Sequence, residues 1–226
     1  MTNLRLAVAC LLCAACPRGK PEVPILNYHS VGVQDEFAVS DAAFAQQLDW
    51  LSASGVKTLA LHDALAPHER AVVLTFDDGK ADALTHVLPA LRKRGMRAVF
   101  FIPTGRIGTP GFLTWDGVRA LAAAGMEIGS HGVSHARLAD LPDERMREEL
   151  VQSKRTLEAE LHAPVDLLAY PYNSVRRRIR SAAEEAGYRI AVAGVEHGGS
   201  DRLALLRTTI TSSTTLDEFR RIVAGR

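Results

Sequence analysis

Short apolar runs alternate with longer segments of helical character along most of the chain. Four of these segments lead through a glycine into a β-favouring run: SASGVKTLA, RKRGMRAVFF, AAAGMEIGS and EEAGYRIAV. Glycine readily takes the left-handed conformation that ends a helix, so each glycine marks a helix-to-strand junction of the same type. The chain is therefore predicted to alternate strands and helices.

This pattern predicts eight strands and six helices after about residue 21. The predicted strands lie near 24–29, 56–60, 71–76, 97–102, 126–129, 166–170, 189–193 and 203–210, and the predicted helices over 41–54, 81–94, 114–124, 142–161, 174–186 and 215–224. Strands such as AVVLTF and RAVFFI are nearly continuous apolar runs, which suit a parallel sheet covered on both faces. No linker interrupts the alternation, so residues 21–226 are predicted to form one α/β domain.

Composition limits the partners that this domain could have. The chain has 226 residues, 47% of them hydrophobic, which is enough for a substantial core. Lys and Arg number 27 against 26 for Asp and Glu, so the formal net charge is +1. A nearly neutral chain gives no electrostatic reason to expect nucleic acid as a partner.

The cysteines all lie in an apolar N-terminal stretch. Cys10, Cys13 and Cys16 follow or interrupt an apolar run from Leu6 to Ala15, which has the length of a signal peptide and is too short to span a membrane. We therefore predict a secretory leader over residues 1–20 and export to the periplasm or cell envelope. CAAC is similar to a bacterial lipobox, which predicts a lipid anchor at Cys16 as the sole membrane attachment; the alternative is a frayed apolar helix.

Ionisable and polar residues follow several of the predicted strands. His29 follows PILNY, Asp77 and Asp78 follow VVLTF, His131 follows MEIGS, and Tyr172 follows LLAYP. In a parallel α/β barrel the carboxyl ends of the strands converge on one face, where active sites form. These five residues are therefore expected at one rim.

The spacing of two histidines indicates a metal. His131 and His135 lie four residues apart, and two imidazoles with one carboxylate would leave coordination positions open, as in catalytic metal sites. Of the two adjacent aspartates, one could bind the cation while the other accepts a proton from the water that the cation activates. The alternatives are two unrelated surface histidines and an aspartate that caps the next helix.

Four stretches of the chain resemble a known family. TFDDG at 75–79, SHGVSH at 130–135, FLTWDGVRALAAAGMEIGSH and LLAYPYNSV are similar to motifs of the polysaccharide deacetylase family, also called NodB-homology or carbohydrate esterase family 4. The resemblance covers roughly residues 24–220 and implies a distorted (β/α)7 barrel with a parallel inner sheet.

The resemblance also implies roles for individual residues. Asp77 would be the catalytic base, and Asp78, His131 and His135 would bind one divalent metal ion, zinc in most members, with cobalt, nickel and iron as alternatives. The backbone N–H of Tyr172 would help to hold the oxyanion.

The chain departs from the family pattern in its third and last motifs. Ala169 or Tyr170 stands where an arginine that orients the base is usual, Asn173 replaces a glycine, and no Leu-x-His motif follows residue 200. AYPY resembles the branch that acts on poly-β-1,6-N-acetylglucosamine, in which the arginine is also absent and the histidine acid comes from an N-terminal strand. His29 in PILNYHSVG fits that role; the alternative is that His29 merely ends a buried strand.

These observations predict a metal-dependent hydrolase, acting as a monomer, that removes N-acetyl groups from an extracellular or cell-wall polysaccharide. The alternatives are a noncatalytic carbohydrate-binding protein on a degenerate barrel, an O-acetyl esterase acting on xylan-like glycans, and a two-histidine-one-carboxylate iron oxygenase. The spare aspartate and the alternating β/α pattern count against the oxygenase. The sequence leaves open whether the glycan is poly-N-acetylglucosamine, peptidoglycan, chitin or xylan.

Overall fold

The computed structural model describes residues 23–35, 37–66, 68 and 70–225; the predicted leader over residues 1–20 lies outside them. The strands are β1 (Ile25–Tyr28), β2 (Ser30–Val31), β3 (Ala38–Val39), β4 (Lys57–Thr58), β5 (Ala71–Phe76), β6 (Val99–Ile102), β7 (Glu127–Ser130), β8 (Leu167–Ala169), β9 (Ile190–Ala193), β10 (Leu205–Leu206) and β11 (Thr208–Thr209). The α-helices are α1 (Asp41–Ala53), α2 (Leu88–Lys93), α3 (Trp115–Ala123), α4 (Asp143–Leu161), α5 (Arg177–Glu185) and α6 (Leu216–Val223).

The main sheet curves into a barrel of parallel strands. Its order is β10-β9-β8-β7-β6-β5-β1-β11, with β4 added beside β5. The two end strands, β10 and β11, are consecutive in the chain and separated only by Arg207, so they act as one interrupted strand that joins the two edges of the sheet. The barrel thus has seven positions around its wall, and the predicted (β/α)7 architecture is confirmed.

Side chains alternate between the inside and the outside of this barrel. The inside holds one apolar cluster, which includes Ile25, Val73, Val99, Phe101, Leu167, Ala169, Ile190, Val192 and Leu205. Since alternate residues share a face, the same inward positions nearer the carboxyl ends of the strands are Asn27, Thr75, Asp77 and Arg207. The interior is therefore apolar at one end and polar at the other.

Helices cover the outside of the sheet in two further apolar clusters. One packs α1, α3 and α6 against the strands from β1 to β7, and the other packs α4 and α5 against β8 and β9. Ser40, Thr114 and Thr215 cap three helices by accepting a backbone N–H in the first turn.

Two helices differ from the prediction at their starts. The segment after the paired aspartates begins with a π-helical turn at Ala83–Val87 before α2. The helix predicted from residue 174 begins at Arg177, because Ser174, with a ψ of 83°, and Arg176, with an extended backbone at φ −138° and ψ 162°, are not helical. None of the helices in the described ranges has both the length and the apolar character needed to cross a membrane.

The amino end of the barrel is closed by a short 3₁₀ helix at Leu61–Leu65. Leu61 is fully buried in the interior cluster, and its backbone N–H donates to Glu127 Oε2 at 2.7 Å. The adjacent His62 ring lies between two carboxylates, with Nδ1 3.1 Å from Glu127 Oε1 and Nε2 3.1 Å from Asp166 Oδ1. His62 thus connects the amino ends of β7 and β8 to this 3₁₀ helix, which forms a plug at the amino end of the barrel.

Candidate active site

A cavity of about 310 Å³ opens at the carboxyl ends of the barrel strands. All six residues singled out from the sequence line it, namely His29, Asp77, Asp78, His131, His135 and Tyr172. Arg207, Phe37 and Arg137 also line this cavity. The topology therefore brings together residues from segments far apart in the chain.

The two adjacent aspartates reach the same cavity because of a backbone turn. Asp77 continues the inward register of β5, so its successor would ordinarily point to the opposite face. Asp78 instead has a φ of 70°, in the left-handed region that L-residues seldom occupy. This conformation returns the Asp78 carboxylate to the cavity beside Asp77.

Asp78, His131 and His135 offer three converging ligand atoms. His135 Nε2 lies 3.2 Å from both Asp78 Oδ1 and His131 Nε2, and His131 Nε2 lies 3.6 Å from Asp78 Oδ1. Bond lengths of about 2.1 Å at tetrahedral angles would separate ligand atoms by about 3.4 Å, so the triangle has the size that Zn²⁺ requires. It is the single group of three such side chains in the described part of the chain.

Hydrogen bonding prepares His131 for this role. Its Nδ1 lies 2.7 Å from the carbonyl oxygen of Ala169, so Nδ1 carries the hydrogen and the Nε2 lone pair faces Asp78. Burial lowers the pKa of His131 and outweighs the opposing charges of Asp77 and Asp78. A neutral imidazole is the form that binds a metal.

Asp77 is held by a different partner. Arg207 donates from Nη1 to Asp77 Oδ1 at 2.7 Å and from Nη2 to Asp77 Oδ2, which makes a two-point ion pair. Arg207 Nη1 also lies 2.9 Å from Asn27 Oδ1. Both members of the pair are buried, with 1% and 3% of their side-chain surface exposed.

The expectation that the base has no arginine to orient it was therefore wrong. The arginine does not come from the third motif near Ala169 but from the junction between β10 and β11. The signal in the sequence was a charged residue inside the apolar run LALLRTT, at the inward position two residues after Leu205. Phe37 and Arg137 were missed because they lie in loops, where no periodicity indicates direction.

The ion pair explains how a buried carboxylate stays charged. Burial raises the pKa of Asp77, but the Arg207 guanidinium, with a smaller contribution from His131, outweighs burial and holds the pKa below its usual value. The pKa of Asp78 is also lowered, because its hydrogen bond to His135 and the nearby His131 outweigh burial. Both aspartates are thus ionised at neutral pH, each with its own cationic or hydrogen-bonding partner.

His29 directly follows β1 and lines one wall of the cavity. Its ring centroid is 5.0 Å from that of Phe37, and its Nδ1 is buried with no hydrogen-bond partner among the described residues. The ring therefore keeps its place by packing rather than by a carboxylate. It lines the same cavity as the three ligand atoms, so the geometry is compatible with the acid role predicted for it.

Tyr172 lies in a strained turn on the other side of the cavity. Tyr172 and Asn173 both have positive φ, and Asn173 Oδ1 accepts the N–H of Gly194 at 2.8 Å. Asparagine thus supports the left-handed turn where the family usually has glycine. The Tyr172 ring lies 4.7 Å from that of His135 and is 55% exposed.

The fold and the cavity define a class of protein: a barrel hydrolase with a triangle of candidate metal ligands beside a separately held carboxylate. The family model for polysaccharide deacetylase matches residues 64–191. The polysaccharide deacetylase-family protein YxkH of Bacillus subtilis is 30% identical over 188 residues, which are 80% of this chain and 67% of that protein. The chain belongs to the polysaccharide deacetylase family.

Two further comparisons agree with this membership. A peptidoglycan-N-acetylglucosamine deacetylase of Bacillus cereus is 29% identical over 122 residues, which are 54% of this chain and 55% of that protein. The Streptococcus pyogenes deacetylase PplD, solved in complex with acetate, has the same fold, with a TM-score of 0.83 at 24% identity. That alignment covers 89% of this chain and 97% of PplD.

Proposed function

We propose that this chain is a metal-dependent hydrolase that removes N-acetyl groups from an extracellular or cell-wall polysaccharide containing N-acetylglucosamine. One observation carries the proposal: adjacent aspartates in one cavity have different partners. Asp78 lies with His131 and His135, whereas Asp77 is paired with Arg207. A site that only binds sugar has no use for an ionised carboxylate held beside a metal-binding triangle.

The first half of the reaction needs a base. Asp77 accepts the proton of the attacking water, and Arg207 keeps the carboxylate charged and in a fixed orientation. A divalent metal held by Asp78, His131 and His135 would supply Lewis acidity toward the acetyl carbonyl oxygen and lower the pKa of water. The backbone N–H of Tyr172 donates to the same carbonyl oxygen as its negative charge grows.

The second half of the reaction needs an acid. The carbon–nitrogen bond of the acetamide breaks, and the leaving nitrogen must gain a proton to depart as an amine. His29 donates that proton from the wall opposite Tyr172. The products are acetate and a glycan that carries a free amino group.

Two exposed aromatic rings favour a sugar ring as the occupant. Phe37 is 42% exposed and packs against His29, which follows β1, and Tyr172 is 55% exposed and follows β8. Strands β1 and β8 lie on opposite sides of the seven-position barrel, so the rings flank the cavity from two sides. The apolar faces of a pyranose stack well on such rings, and the similarity to the peptidoglycan-N-acetylglucosamine deacetylase of Bacillus cereus supports N-acetylglucosamine as the sugar.

We also propose that the domain acts as a monomer at the cell envelope after export, with a lipid at Cys16. The apolar leader ahead of Cys16 supports this. Changing Cys16 to Ser should release the protein from the membrane fraction while export continues. If labelled fatty acid is not incorporated into the wild-type protein, the lipid anchor is refuted and export is not.

Mass spectrometry tests the proposed reaction directly. The metal-loaded protein is incubated with β-1,4- and β-1,6-linked N-acetylglucosamine oligomers and with O-acetylated xylan oligomers. We expect loss of acetyl groups from at least one N-acetyl series, and a loss that is slower by roughly 100-fold or more with Asp77→Asn. Loss from xylan alone would favour the O-acetyl esterase alternative, and binding without any loss would favour a noncatalytic carbohydrate-binding protein.

A further inference from the structure

The loop that joins the two histidine ligands is fixed by a residue outside the cavity. This loop consists of Gly132, Val133 and Ser134, between His131 and His135. Helix α4 runs behind it and directs the side chain of Glu149 at its backbone. Glu149 is 7% exposed and takes no part in the chemistry proposed above.

Glu149 accepts three hydrogen bonds from the ligand loop. Its Oε2 accepts the backbone N–H of Val133 at 2.7 Å and that of Ser134 at 2.9 Å. Its Oε1 accepts the hydroxyl of Ser134 at 2.6 Å. No Lys or Arg side chain forms an ion pair with Glu149 in the described ranges, so the hydrogen-bond donors of the loop are the groups that stabilise this buried carboxylate.

Other backbone groups of the loop also have hydrogen-bond partners. The N–H of Gly132 donates to Ser130 Oγ at 3.2 Å, and Ser130 Oγ lies 2.7 Å from Ser153 Oγ on α4. On the other side, the carbonyl oxygens of Gly132 and Val133 accept the N–H groups of Thr104 and Gly105 at 3.1 and 2.8 Å. The loop is thus held from both sides, and on one of them α4 supplies the hydrogen-bond acceptors of Glu149.

The close approach of the loop to Glu149 also explains why residue 132 is a glycine. Its φ is +75°, and a Cβ atom there would lie 3.1 Å from Glu149 Oε2. That spacing is tighter than ordinary van der Waals contact, so a larger residue at 132 would push the carboxylate away from the loop. The two residues therefore fit each other closely.

We propose that Glu149 is a positioning residue that holds His131 and His135 at metal-binding separation before any metal arrives. The proposal rests on the proposed metal site. Without Glu149, two partly buried backbone N–H groups lose their acceptor, and the loop must relax toward other partners. Partners in this outer layer contribute roughly 10- to 100-fold to metal affinity in other proteins.

The test measures Zn²⁺ affinity of the metal-stripped protein by competition with a chromophoric chelator. Glu149→Ala should weaken Zn²⁺ binding roughly 10- to 100-fold. Glu149→Gln keeps an oxygen of the same reach for the backbone N–H groups and should bind nearly as well as the wild type. Glu149→Asp keeps the charge but is one methylene too short, so it should behave like Glu149→Ala.

Glu158 on the same helix provides the matched control. Its Oε1 also accepts a backbone N–H, that of Val165 at 3.1 Å, together with Lys154 Nζ at 2.7 Å, but it is not part of the ligand loop. Glu158→Ala should lower the melting temperature and leave the Zn²⁺ affinity within about twofold. Co²⁺ spectra add a second measurement, since a displaced histidine changes the visible bands.

The outcomes separate this inference from the proposed function. If the wild-type protein does not bind Zn²⁺, the metal site fails and this inference fails with it. If the wild type binds Zn²⁺ and Glu149→Asp binds it equally well, the inference alone is overturned. Equal weakening by Glu158→Ala would also overturn it, and the Asp and Gln variants decide the matter if Glu149→Ala does not fold.

Discussion

Arg207 and Asp77 form a buried two-point ion pair between residues 130 positions apart in the chain. Asp77 follows β5, Arg207 joins β10 to β11, and β1 lies between β5 and β11 in the sheet. These side chains can meet only when the β10–β11 segment has joined the sheet beside β1. The ion pair that keeps the proposed base charged therefore depends on the last strands of the chain.

Removing the cationic partner of this pair should be costly. Arg207→Leu leaves the Asp77 carboxylate buried without compensation, which should lower the free energy of unfolding by about 3–5 kcal/mol. Urea unfolding monitored by circular dichroism measures this change. The double variant Arg207→Leu with Asp77→Leu should recover much of the loss, because it removes the uncompensated charge.

Arg202→Leu is the matched control for that measurement. Arg202 pairs with Glu184 at the surface, where both side chains are about half exposed. Its removal should change the free energy of unfolding by less than about 1 kcal/mol. An equally small effect of Arg207→Leu would contradict the view that the buried pair sustains the charge on Asp77.

Metal binding should depend on each histidine of the triangle. His131→Ala removes a ligand whose orientation is fixed by the Ala169 carbonyl, and the variant should lose bound Zn²⁺ in metal analysis of the purified protein. His197→Ala changes an exposed histidine far from the triangle in sequence and should keep it. Metal content like that of the wild type in His131→Ala would refute the ligand assignment.

The base and the acid can be distinguished by the leaving group. Asp77→Asn should retain metal and lose roughly 100-fold or more in turnover on every substrate, because all substrates need an activated water. His29→Ala should be strongly impaired on N-acetyl substrates, since an amine leaves poorly without a proton. It should be much less impaired on an aryl acetate, whose phenolate leaves unaided.

Steady-state rates on an N-acetylglucosamine oligomer and on the aryl acetate give this comparison. A His29→Ala defect of the same size on both substrates would mean that His29 shapes the cavity rather than donating a proton. Full activity of the variant on the oligomer would remove His29 from the mechanism.

The plug at the amino end of the barrel should make stability depend on pH. Partial burial lowers the pKa of His62, but the hydrogen bonds and charges of Glu127 and Asp166 outweigh it, so the pKa is raised above 6.5. A raised pKa means that the folded state holds the proton more tightly than the unfolded state. The stabilisation is therefore complete below pH 6.5 and is lost as the pH rises through the raised value.

Melting curves of the wild type and His62→Gln between pH 5 and pH 8.5 would measure this effect. The His62 side chain is 44% exposed, so the stabilisation should be at most about 1 kcal/mol. Arg189, 3.8 Å from Asp166, competes for that carboxylate and reduces the effect further. A constant difference between the two proteins across this range would contradict the prediction.

Much of the fold could be predicted because its signals are local. Continuous apolar runs located the long strands, and glycines located the ends of the helices. The residues that follow strands β5 and β7 could be assigned to one cavity because parallel strands end on a common face. The short pair β2 and β3 escaped prediction, since two-residue strands carry no periodicity.

The parts of the site that depend on long-range closure could not be predicted. Nothing near Asp77 in sequence indicates that its partner is Arg207, because their contact exists only when the β10–β11 segment has joined the sheet beside β1. The inward turn of Asp78 was also hidden, since aspartate rarely takes positive φ. Glu149 lies on a helix face whose direction toward the histidine loop follows from packing.

Arg207 lies between β10 and β11, the last strands of the chain, and this position has a consequence for the order in which the site is assembled. A chain made from its amino end presents Asp78, His131 and His135 well before Arg207 is available. Until the β10–β11 segment docks, Asp77 lacks the guanidinium that holds its pKa below the usual value in the folded protein. All three candidate metal ligands are therefore synthesised before the arginine that pairs with the base. The proposed hydrolytic activity requires the last strands of the chain.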